Sequence, residues 1–274
     1  MYFTLSLLLI STFVNAIVIR HDVADQKYHA KVTDFLPLAT LYNIGVHGTL
    51  IDPQWVITAG HAIFCMEAGS KIKVGEQWVE IEARYSHKNY QLDEKNDIAL
   101  LKLKQPITSI TPANIYKNND ELGKSIWFIG SGGTGTGLNG QTINLKENNG
   151  VLRKAQNRIV DIDDTDIIFE FEKGDDGEPL EGVSGNGDSG GPAYIFIDGK
   201  YQLLGISSRA DSWFKDVGEY GVREVYTRVS SYQTWISQVI NGSAEQRDNI
   251  TTQNRFLQDN MKGNIDKVCN MVGF

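Results

Sequence analysis

The sequence is poor in cysteine, proline and positive charge. Its 274 residues include 2 cysteines and 6 prolines, and 34 acidic side chains against 26 basic ones give a net charge of −8. Because the chain has no basic surplus, a nucleic-acid partner is not expected. The hydrophobic share of 41% is too high for an extended disordered protein, and it indicates a globular protein with a large core.

Long apolar runs are also missing. The apolar stretch at residues 5–14 is shorter than the about 20 residues that a membrane span needs, so no membrane partner is expected. The stretch lacks a basic residue at its start, but the small or short residues of Val14-Asn15-Ala16 follow it and fit a signal-peptidase site. We therefore expect residues 1–16 to be a signal peptide of a secreted, extracellular protein. Residues 17–241 then form the main domain, and residues 242–274 form a polar tail.

The two cysteines, Cys65 and Cys269, lie far apart in the sequence. Export permits a disulfide between them, which would close a loop of about 200 residues and stabilise the protein by roughly 5 kcal/mol in the chain-entropy treatment. The alternative is a pair of buried thiols. Asn241-Gly242-Ser243 and Asn249-Ile250-Thr251 fit the acceptor pattern for N-glycosylation, which matters only if the source glycosylates its exported proteins.

Short runs rich in β-branched and aromatic residues recur along the chain and predict strands. They lie at residues 48–51, 55–58, 71–74, 78–84, 98–103, 125–129, 167–171, 193–197, 201–207 and 225–229. Turn-rich pieces such as 131–137 separate them, which favours an all-β protein of barrels or sandwiches. One helix is predicted over about residues 231–240, where Trp235, Val239 and Ile240 are spaced to cover a core.

Several segments contain residue types typical of ligand sites, but not the matching spacing. The glycine-rich run 131–140 is followed by no Lys-Ser or Lys-Thr pair, so it predicts a mobile surface loop and not a phosphate site. The acidic stretches 161–166 and 170–181 lack the spacing of a calcium loop. Four histidines have no paired ligand spacing and are interpreted as structural or exposed: His21, His29, His47 and His87. Neither a metal nor a cofactor is predicted.

Three segments contain the residue types of nucleophilic catalysis. They are Thr58-Ala59-Gly60-His61, Asn96-Asp97-Ile98-Ala99 and Gly185-Asn186-Gly187-Asp188-Ser189-Gly190-Gly191-Pro192. A serine hydroxyl is a poor nucleophile at neutral pH, so it needs an imidazole to accept its proton and a carboxylate to orient that imidazole. Glycines around a serine permit a tight turn whose backbone N–H groups converge on one point, as an oxyanion site requires.

With these segments the sequence resembles the chymotrypsin-like (trypsin-like) serine protease family. They occur in the family's chain order of His, Asp and Ser, which other triad folds do not share. The resemblance extends over about residues 17–240, with Gly48-Thr49-Leu50-Ile51 and Tyr226-Thr227-Arg228-Val229 as matching strands. It implies an all-β fold of two packed six-stranded antiparallel β-barrels, over about 17–124 and 125–230, followed by a C-terminal helix.

The resemblance assigns a role to each matching residue. His61 becomes the general base, Asp97 the orienting carboxylate and Ser189 the nucleophile, with the backbone N–H groups of Gly187 and Ser189 as the oxyanion hole. The implied function is a secreted serine endopeptidase that forms an acyl-enzyme on a protein or peptide substrate. A proteinaceous inhibitor is a further expected partner, and the expected state is a monomer. The alternatives are an inactive homologue that acts as a binding or adaptor protein, and an esterase.

The family also uses a free amino terminus, which pairs with the Asp before the nucleophile. Here Ile17-Val18 follows the expected signal cleavage, and Asp188 occupies the partner position. The resemblance therefore implies that signal cleavage alone yields active enzyme, although Ile19-Arg20 replaces the family's two glycines.

Specificity stays open at this level. By spacing, Val183 lies at the base of the primary pocket, where trypsin-like members have an acid, whereas Glu224 occupies a wall position that normally holds glycine. Basic specificity through Glu224, apolar specificity and a blocked pocket are all compatible with this pattern. Ser208 has the spacing of a serine that supports the buried Asp, and Arg209-Ala210 replaces the aromatic residue and glycine of the substrate-binding strand.

Overall fold

The computed structural model describes residues 17–43, 45–211, 215–257, 259 and 261–272. In chain order the strands are β1 (Ile17–Ile19), β2 (Leu38–Tyr42), β3 (Gly45–Asp52), β4 (Trp55–Thr58), β5 (Lys71–Val74), β6 (Gln77–His87), β7 (Ala99–Leu103), β8 (Asn114–Ile115), β9 (Ser125–Gly130), β10 (Thr134–Thr136), β11 (Gly140–Ile143), β12 (Arg153–Ile162), β13 (Asp166–Glu170), β14 (Gly182–Val183), β15 (Pro192–Ile197), β16 (Lys200–Asp211), β17 (Arg223–Arg228) and β18 (Thr251–Thr252). The α-helices are α1 (Leu145–Asn148), α2 (Gln233–Asn241), α3 (Ala244–Ile250) and α4 (Ile265–Met271). The 3-10 turns are Asp25–Lys27, Val32–Asp34, His61–Ile63, Gly174–Asp176 and Val229–Tyr232.

The first barrel contains β2 to β7. Its strands pair antiparallel in the order β6-β5-β2-β3-β4-β7, and pairing of β6 with β7 closes the sheet. In β5 the side chains of Ile72 and Val74 point inward and are fully buried, as the period of two in a strand requires. Each fully buried side chain of this size stabilises the barrel by about 1.5–3 kcal/mol.

The second barrel is built in the same way from six later strands. Its strands pair antiparallel in the order β15-β9-β12-β13-β17-β16, and pairing of β15 with β16 closes the sheet. The inward side chains include Ile126, Phe128, Ile159, Phe169 and Leu204. The predicted all-β fold of two six-stranded barrels is therefore confirmed.

The two barrels meet in an apolar cluster that the C-terminal helix also joins. Trp55 and Leu100 of the first barrel, Leu203 of the second, and Trp235 of α2 belong to this cluster. Helix α2 begins at Gln233, after the turn Val229–Tyr232, so its start is two residues later than predicted. The interface explains why this helix is stable although it is only 9 residues long.

A small sheet lies beside the second barrel in the order β11-β10-β1-β14. Strand β10 belongs to the glycine-rich run, whose residues 131–134 are buried, so the predicted surface loop is wrong there. The reason is close packing: a Cβ atom on Gly132 would lie 2.7 Å from Cγ of Asp188. Glycine is needed at this position because another side chain approaches its backbone.

The segment after Asn241 lies along the first barrel. Strand β18 pairs antiparallel with the edge of β6, and Cys269 of α4 forms a disulfide with Cys65, with 5.6 Å between the Cα atoms. The predicted disulfide is therefore confirmed. Phe256 packs edge-on against Tyr90, with ring centroids 4.5 Å apart. Among the described residues no helix is long and apolar enough to cross a bilayer.

Candidate active site

His61 lies three residues after the end of β4 and is the first residue of a 3-10 turn. Its ring Nδ1 donates to Oδ2 of Asp97 at 2.7 Å, and its backbone N–H donates to Oδ1 of the same carboxylate at 2.9 Å. The preceding Gly60 permits this approach, because a Cβ there would lie 2.9 Å from Tyr90 and 3.2 Å from Asp97 Oδ1. The two bonds hold the ring and the carboxylate in one orientation.

Asp97 is only 2% exposed and is bonded from both barrels. Besides His61, the hydroxyl of Ser208 on β16 donates to Asp97 Oδ2 at 2.7 Å, and the hydroxyl of Thr227 on β17 donates to the Asp97 carbonyl at 2.8 Å. Burial opposes ionisation of Asp97, but the charge of His61 and the hydrogen bonds outweigh it and lower the pKa of the carboxyl.

The same ion pair acts on His61. Burial opposes protonation of the imidazole, whereas Asp97 stabilises the imidazolium, and the net result is a raised pKa for His61. Since Nδ1 donates to Asp97, the neutral ring has its lone pair at Nε2, where it can accept a proton.

Ser189 lies in a glycine-rich turn that is docked on the first barrel. The N–H groups of Val46 and His47 on β3 donate to the carbonyls of Gly187 and Ser189, at 2.7 and 2.8 Å. Gly190 lies against β4, where a Cβ would be 2.1 Å from Oγ1 of Thr58. The turn is thereby placed beside the segment that contains His61.

The backbone N–H groups of this turn fall into two sets. Those of Asp188, Gly190 and Gly191 donate to backbone carbonyls within 3.0 Å. Those of Gly187 and Ser189 donate to no acceptor in the described part of the chain. Gly187 has φ of +99°, a conformation that favours glycine. Two unpaired donors next to a serine hydroxyl form an arrangement that can bind an oxyanion.

Asp188 is turned away from Ser189 into the protein. Its Oδ1 accepts from Gly132 N–H at 2.6 Å and its Oδ2 from Gly185 N–H at 2.9 Å, and burial raises the pKa of the carboxyl to about 6. Ile17 is buried in β1, and its carbonyl accepts from the Thr134 hydroxyl. Among the described residues no hydrogen bond or ion pair joins Ile17 to Asp188.

A pocket of about 70 Å³ opens beside Ser189. Its lining residues are Ser184, Gly185, Asn186, Ser189, Ser207, Ser208, Arg209, Ala210, Val217 and Glu224. Val183 is not among them, because it packs in an apolar cluster with Val18, Phe171 and Val222. The two charged lining residues are therefore Arg209 and Glu224.

These two charges are in different situations. Arg209 donates from Nη2 to Oδ2 of Asp166 at 2.8 Å, so its charge is paired. Glu224, on β17 opposite Ala210, is 4% exposed and has no hydrogen bond or ion pair in the part of the chain described here. Burial, and secondarily the charge of Asp188, raise the pKa of Glu224 well above its usual value. The pocket therefore contains one carboxyl group without a cationic partner.

Next to this pocket, one edge of β16 has no strand partner among the described residues. Strand β16 pairs with β15 only up to Ile206, whereas its pairing with β17 continues to Asp211. Within the described part of the chain, residues 208–211 therefore have no strand partner on the side of Ser189, where an extended peptide can add as a further strand.

One polar contact at this site could not be predicted from the sequence. His47 is fully buried, and its Nε2 accepts from the backbone N–H of Ser131 at 3.0 Å. The two residues are 84 positions apart, and nothing in the local sequence of either one indicates the contact.

The fold and this arrangement of His61, Asp97 and Ser189 define the chymotrypsin-like class of serine proteases. A family model described as Trypsin matches residues 37–236, and the chain belongs to that family.

Vitamin K-dependent protein C is 31% identical over 219 residues in Mus musculus and 30% identical in Rattus norvegicus. Each match includes 70% of this chain, but the chain spans only 45% of the length of protein C. Serine protease SSP1 of Scolopendra subspinipes is 28% identical over 242 residues, which are 73% of this chain and 76% of that protein.

Proposed function

We propose that this protein is a secreted serine endopeptidase. The observation that carries the proposal is that the N–H groups of Gly187 and Ser189 have no acceptor among the described residues, whereas the other N–H groups of residues 185–191 are hydrogen-bonded. A site that only docked a partner would have no need for two free donors beside the Asp97–His61 pair. In other enzymes each such donor stabilises the transition state by about 2.7–4 kcal/mol.

In the proposed reaction, Ser189 Oγ attacks the carbonyl carbon of a peptide bond while His61 Nε2 accepts its proton. The N–H groups of Gly187 and Ser189 donate to the oxyanion that forms, and Asp97 stabilises the imidazolium. His61 then protonates the leaving amine, which departs from the acyl-enzyme. A water molecule, deprotonated by His61, releases the acid and restores the Ser189 hydroxyl.

We further propose that the substrate has Arg or Lys before the cleaved bond. Glu224 supports this assignment, because it lies in the lining of the pocket beside Ser189 and has no cationic partner among the described residues. A basic side chain would supply the missing charge and favour the ionised form of Glu224. The free edge of β16 would pair with the substrate backbone on the same side.

Maturation at Ile17 belongs to the same proposal. Asp188 is buried with two backbone donors, and burial raises its pKa to about 6 although the charge of Arg153 acts in the opposite direction. A free α-amino group at Ile17 would supply a direct cationic partner after signal cleavage. Export is supported by the apolar stretch at residues 5–14 and by the Cys65–Cys269 disulfide, which an oxidising compartment favours.

The test uses protein that begins at Ile17, with Ser189→Ala and His61→Ala as controls. We expect a fluorophosphonate probe to label Ser189 in the native chain and neither variant to react at that position. Peptide mixtures incubated with the native chain should then be cut after Arg or Lys, as read by mass spectrometry. Absence of both labelling and cleavage would favour an adaptor protein, and hydrolysis of esters without cleavage of peptides would favour an esterase.

A further inference from the structure

His47 is a fully buried histidine that the proposed reaction does not use. It lies on β3, where its backbone N–H donates to Ser189 O at 2.8 Å and its own carbonyl accepts from the Thr58 hydroxyl at 2.6 Å. Its backbone is therefore fixed between β4 and the turn that contains Ser189. Its ring is polar in a place where an apolar side chain could fill the same volume.

The ring contacts Ser131 through its Nε2 atom. Nε2 accepts from the backbone N–H of Ser131 at 3.0 Å, and it lies 3.2 Å from the Ser131 hydroxyl and 3.9 Å from Oδ1 of Asp188. Because an amide donates to Nε2, the ring proton is on Nδ1, which has no well-formed partner in the described structure. Burial lowers the pKa of His47 to about 4, so the ring is a neutral acceptor at neutral pH.

Ser131 begins a segment that supports the Ser189 turn from the second barrel. Gly132 N–H donates to Asp188 Oδ1 at 2.6 Å, and Gly133 N–H donates to the Asn186 carbonyl at 2.8 Å. We call residues 131–133 the cradle segment. The His47 ring thus joins β3 of the first barrel to the cradle segment.

The turn therefore has two supports, β3 on one side and the cradle segment on the other. Both act on residues 186–189, which include the two free N–H donors. If the Ser131 N–H lost its acceptor, a buried donor would be left unsatisfied, and the cradle segment would be free to shift toward another acceptor. The positions of Gly187 and Asp188 would then no longer be fixed relative to Ser189.

We propose that His47 is a positioning residue. Through the acceptor at Nε2, it holds the turn that contains Ser189 in the conformation that the reaction requires. This inference rests on the proposed protease function. It predicts that His47 affects stabilisation of the transition state and not the binding of substrate, since the side chain is buried and does not line the pocket. Loss of the acceptor should lower kcat and leave KM nearly unchanged.

Two variants separate the acceptor from the volume of the ring. His47→Gln keeps an acceptor, Oε1, the same number of bonds from Cα as Nε2, whereas His47→Leu fills a similar volume without one. On one peptide substrate we expect His47→Leu to lower kcat about 10- to 100-fold with KM within about twofold, and His47→Gln to stay within about threefold of the native kcat. The rate of fluorophosphonate labelling should follow the same order.

Leu50→Ala is the control for lost stability, because Leu50 is a buried core residue on the same strand. It should lower the unfolding temperature without changing kcat at 25 °C. Hydrogen exchange gives a readout that does not need activity: the amides of residues 131–133 and 185–191 should exchange faster in His47→Leu than in His47→Gln. The inference is wrong if the two His47 variants have equal kcat and equal exchange, or if only KM changes. A native chain that fails to label overturns the protease proposal instead, and the exchange experiment still decides the role of His47.

Discussion

The hydroxyl of Ser208 lies 2.7 Å from Oδ2 of Asp97 and donates to it across the junction of the two barrels. Asp97 lies between β6 and β7 of the first barrel, and Ser208 lies on β16 of the second. The ion pair of His61 and Asp97 is therefore completed by a residue from the opposite barrel, so the packing of the barrels has a direct effect on the site.

Replacement of Ser208 by Ala tests this cross-barrel bond. Hydrogen bonds to a charged group contribute about 1.5–3 kcal/mol, so we expect kcat/KM to fall about 10- to 100-fold. Ser208→Thr keeps the hydroxyl and should retain most of the activity. Steady-state kinetics on a peptide substrate measure both, and an unchanged kcat/KM in Ser208→Ala would contradict the role.

The pH dependence of activity should follow His61. The proposed base acts in its neutral form, so kcat/KM should rise with pH as His61 loses its proton. Asp97 raises the pKa of His61 above the usual 6.5, and the midpoint should therefore lie above that pH. Asp97→Asn removes the stabilising charge, so its midpoint should move to lower pH while the maximal rate falls by about 10⁴-fold, as in a comparable triad. A midpoint that stays in place would show that His61 is not the titrating group.

Glu224→Gln tests the proposed preference for basic residues. Removal of one partner from a buried charge pair costs about 2–5 kcal/mol. The kcat/KM for cleavage of bonds that follow Arg or Lys should therefore fall at least about 30-fold. Cleavage after apolar residues should not fall. Since the pKa of Glu224 is raised, the preference for basic residues should also weaken as the pH is lowered and the carboxyl becomes neutral.

Glu219→Gln is the matched control for this charge, because Glu219 lies outside the residues that line the pocket. It should leave the cleavage profile unchanged. If native protein cuts only after apolar residues, the assignment of Glu224 is wrong.

The amino terminus should affect stability in a pH-dependent way. With a residue retained before Ile17, the buried carboxyl of Asp188 has a pKa of about 6, against 3.8 in the unfolded chain. Ionisation therefore destabilises this form as the pH rises from about 4 to 6, by roughly 3 kcal/mol. A chain that begins at Ile17 should avoid most of this loss, because its α-amino group pairs with the ionised carboxyl.

Urea unfolding of the two forms measures the difference. The gap in unfolding free energy should be small at pH 4 and largest above pH 6, and Asp188→Asn should remove it. Equal stability of the two native-sequence forms at pH 7 would contradict the proposed ion pair.

Loss of the disulfide should lower stability without abolishing activity. Replacement of both Cys65 and Cys269 by Ser is expected to lower the unfolding free energy by about 2–5 kcal/mol and Tm by roughly 5–15 °C. At 25 °C kcat should stay near the native value, because neither cysteine lines the pocket. Calorimetry and steady-state kinetics on the same preparation test both statements.

Much of the fold is predictable from local pattern. Strands β4 and β5 have the predicted bounds, since their β-branched residues and flanking turns are clear. Strand β12 was missed because Arg153, Asn157 and Arg158 interrupt its apolar residues. Arg153 is nevertheless fully buried, and its guanidinium pairs with Asp25, 128 positions away. A charge that is compensated only by tertiary contact gives no local signal of burial.

In the candidate site, too, residues that follow a local pattern could be predicted, whereas residues that depend on tertiary contacts could not. The spacing relative to Ser189 identified Ser208, and the structure places its hydroxyl on Asp97. His47 could not be identified, because its partner Ser131 lies in a glycine-rich run that has the pattern of a surface loop. That run is buried because it packs closely against Asp188. The local sequence of the run does not predict this tertiary contact.

The link between Cys65 and Cys269 also determines what a cut in the chain would produce. The two residues are 204 positions apart, so most exposed loops, including the one that contains α1, lie between them. A single hydrolysed bond anywhere in that interval leaves both pieces covalently connected. Nicked protein should run as a single band on a non-reducing gel and separate into two fragments only after reduction, so a non-reducing gel would not reveal self-digestion as fragments.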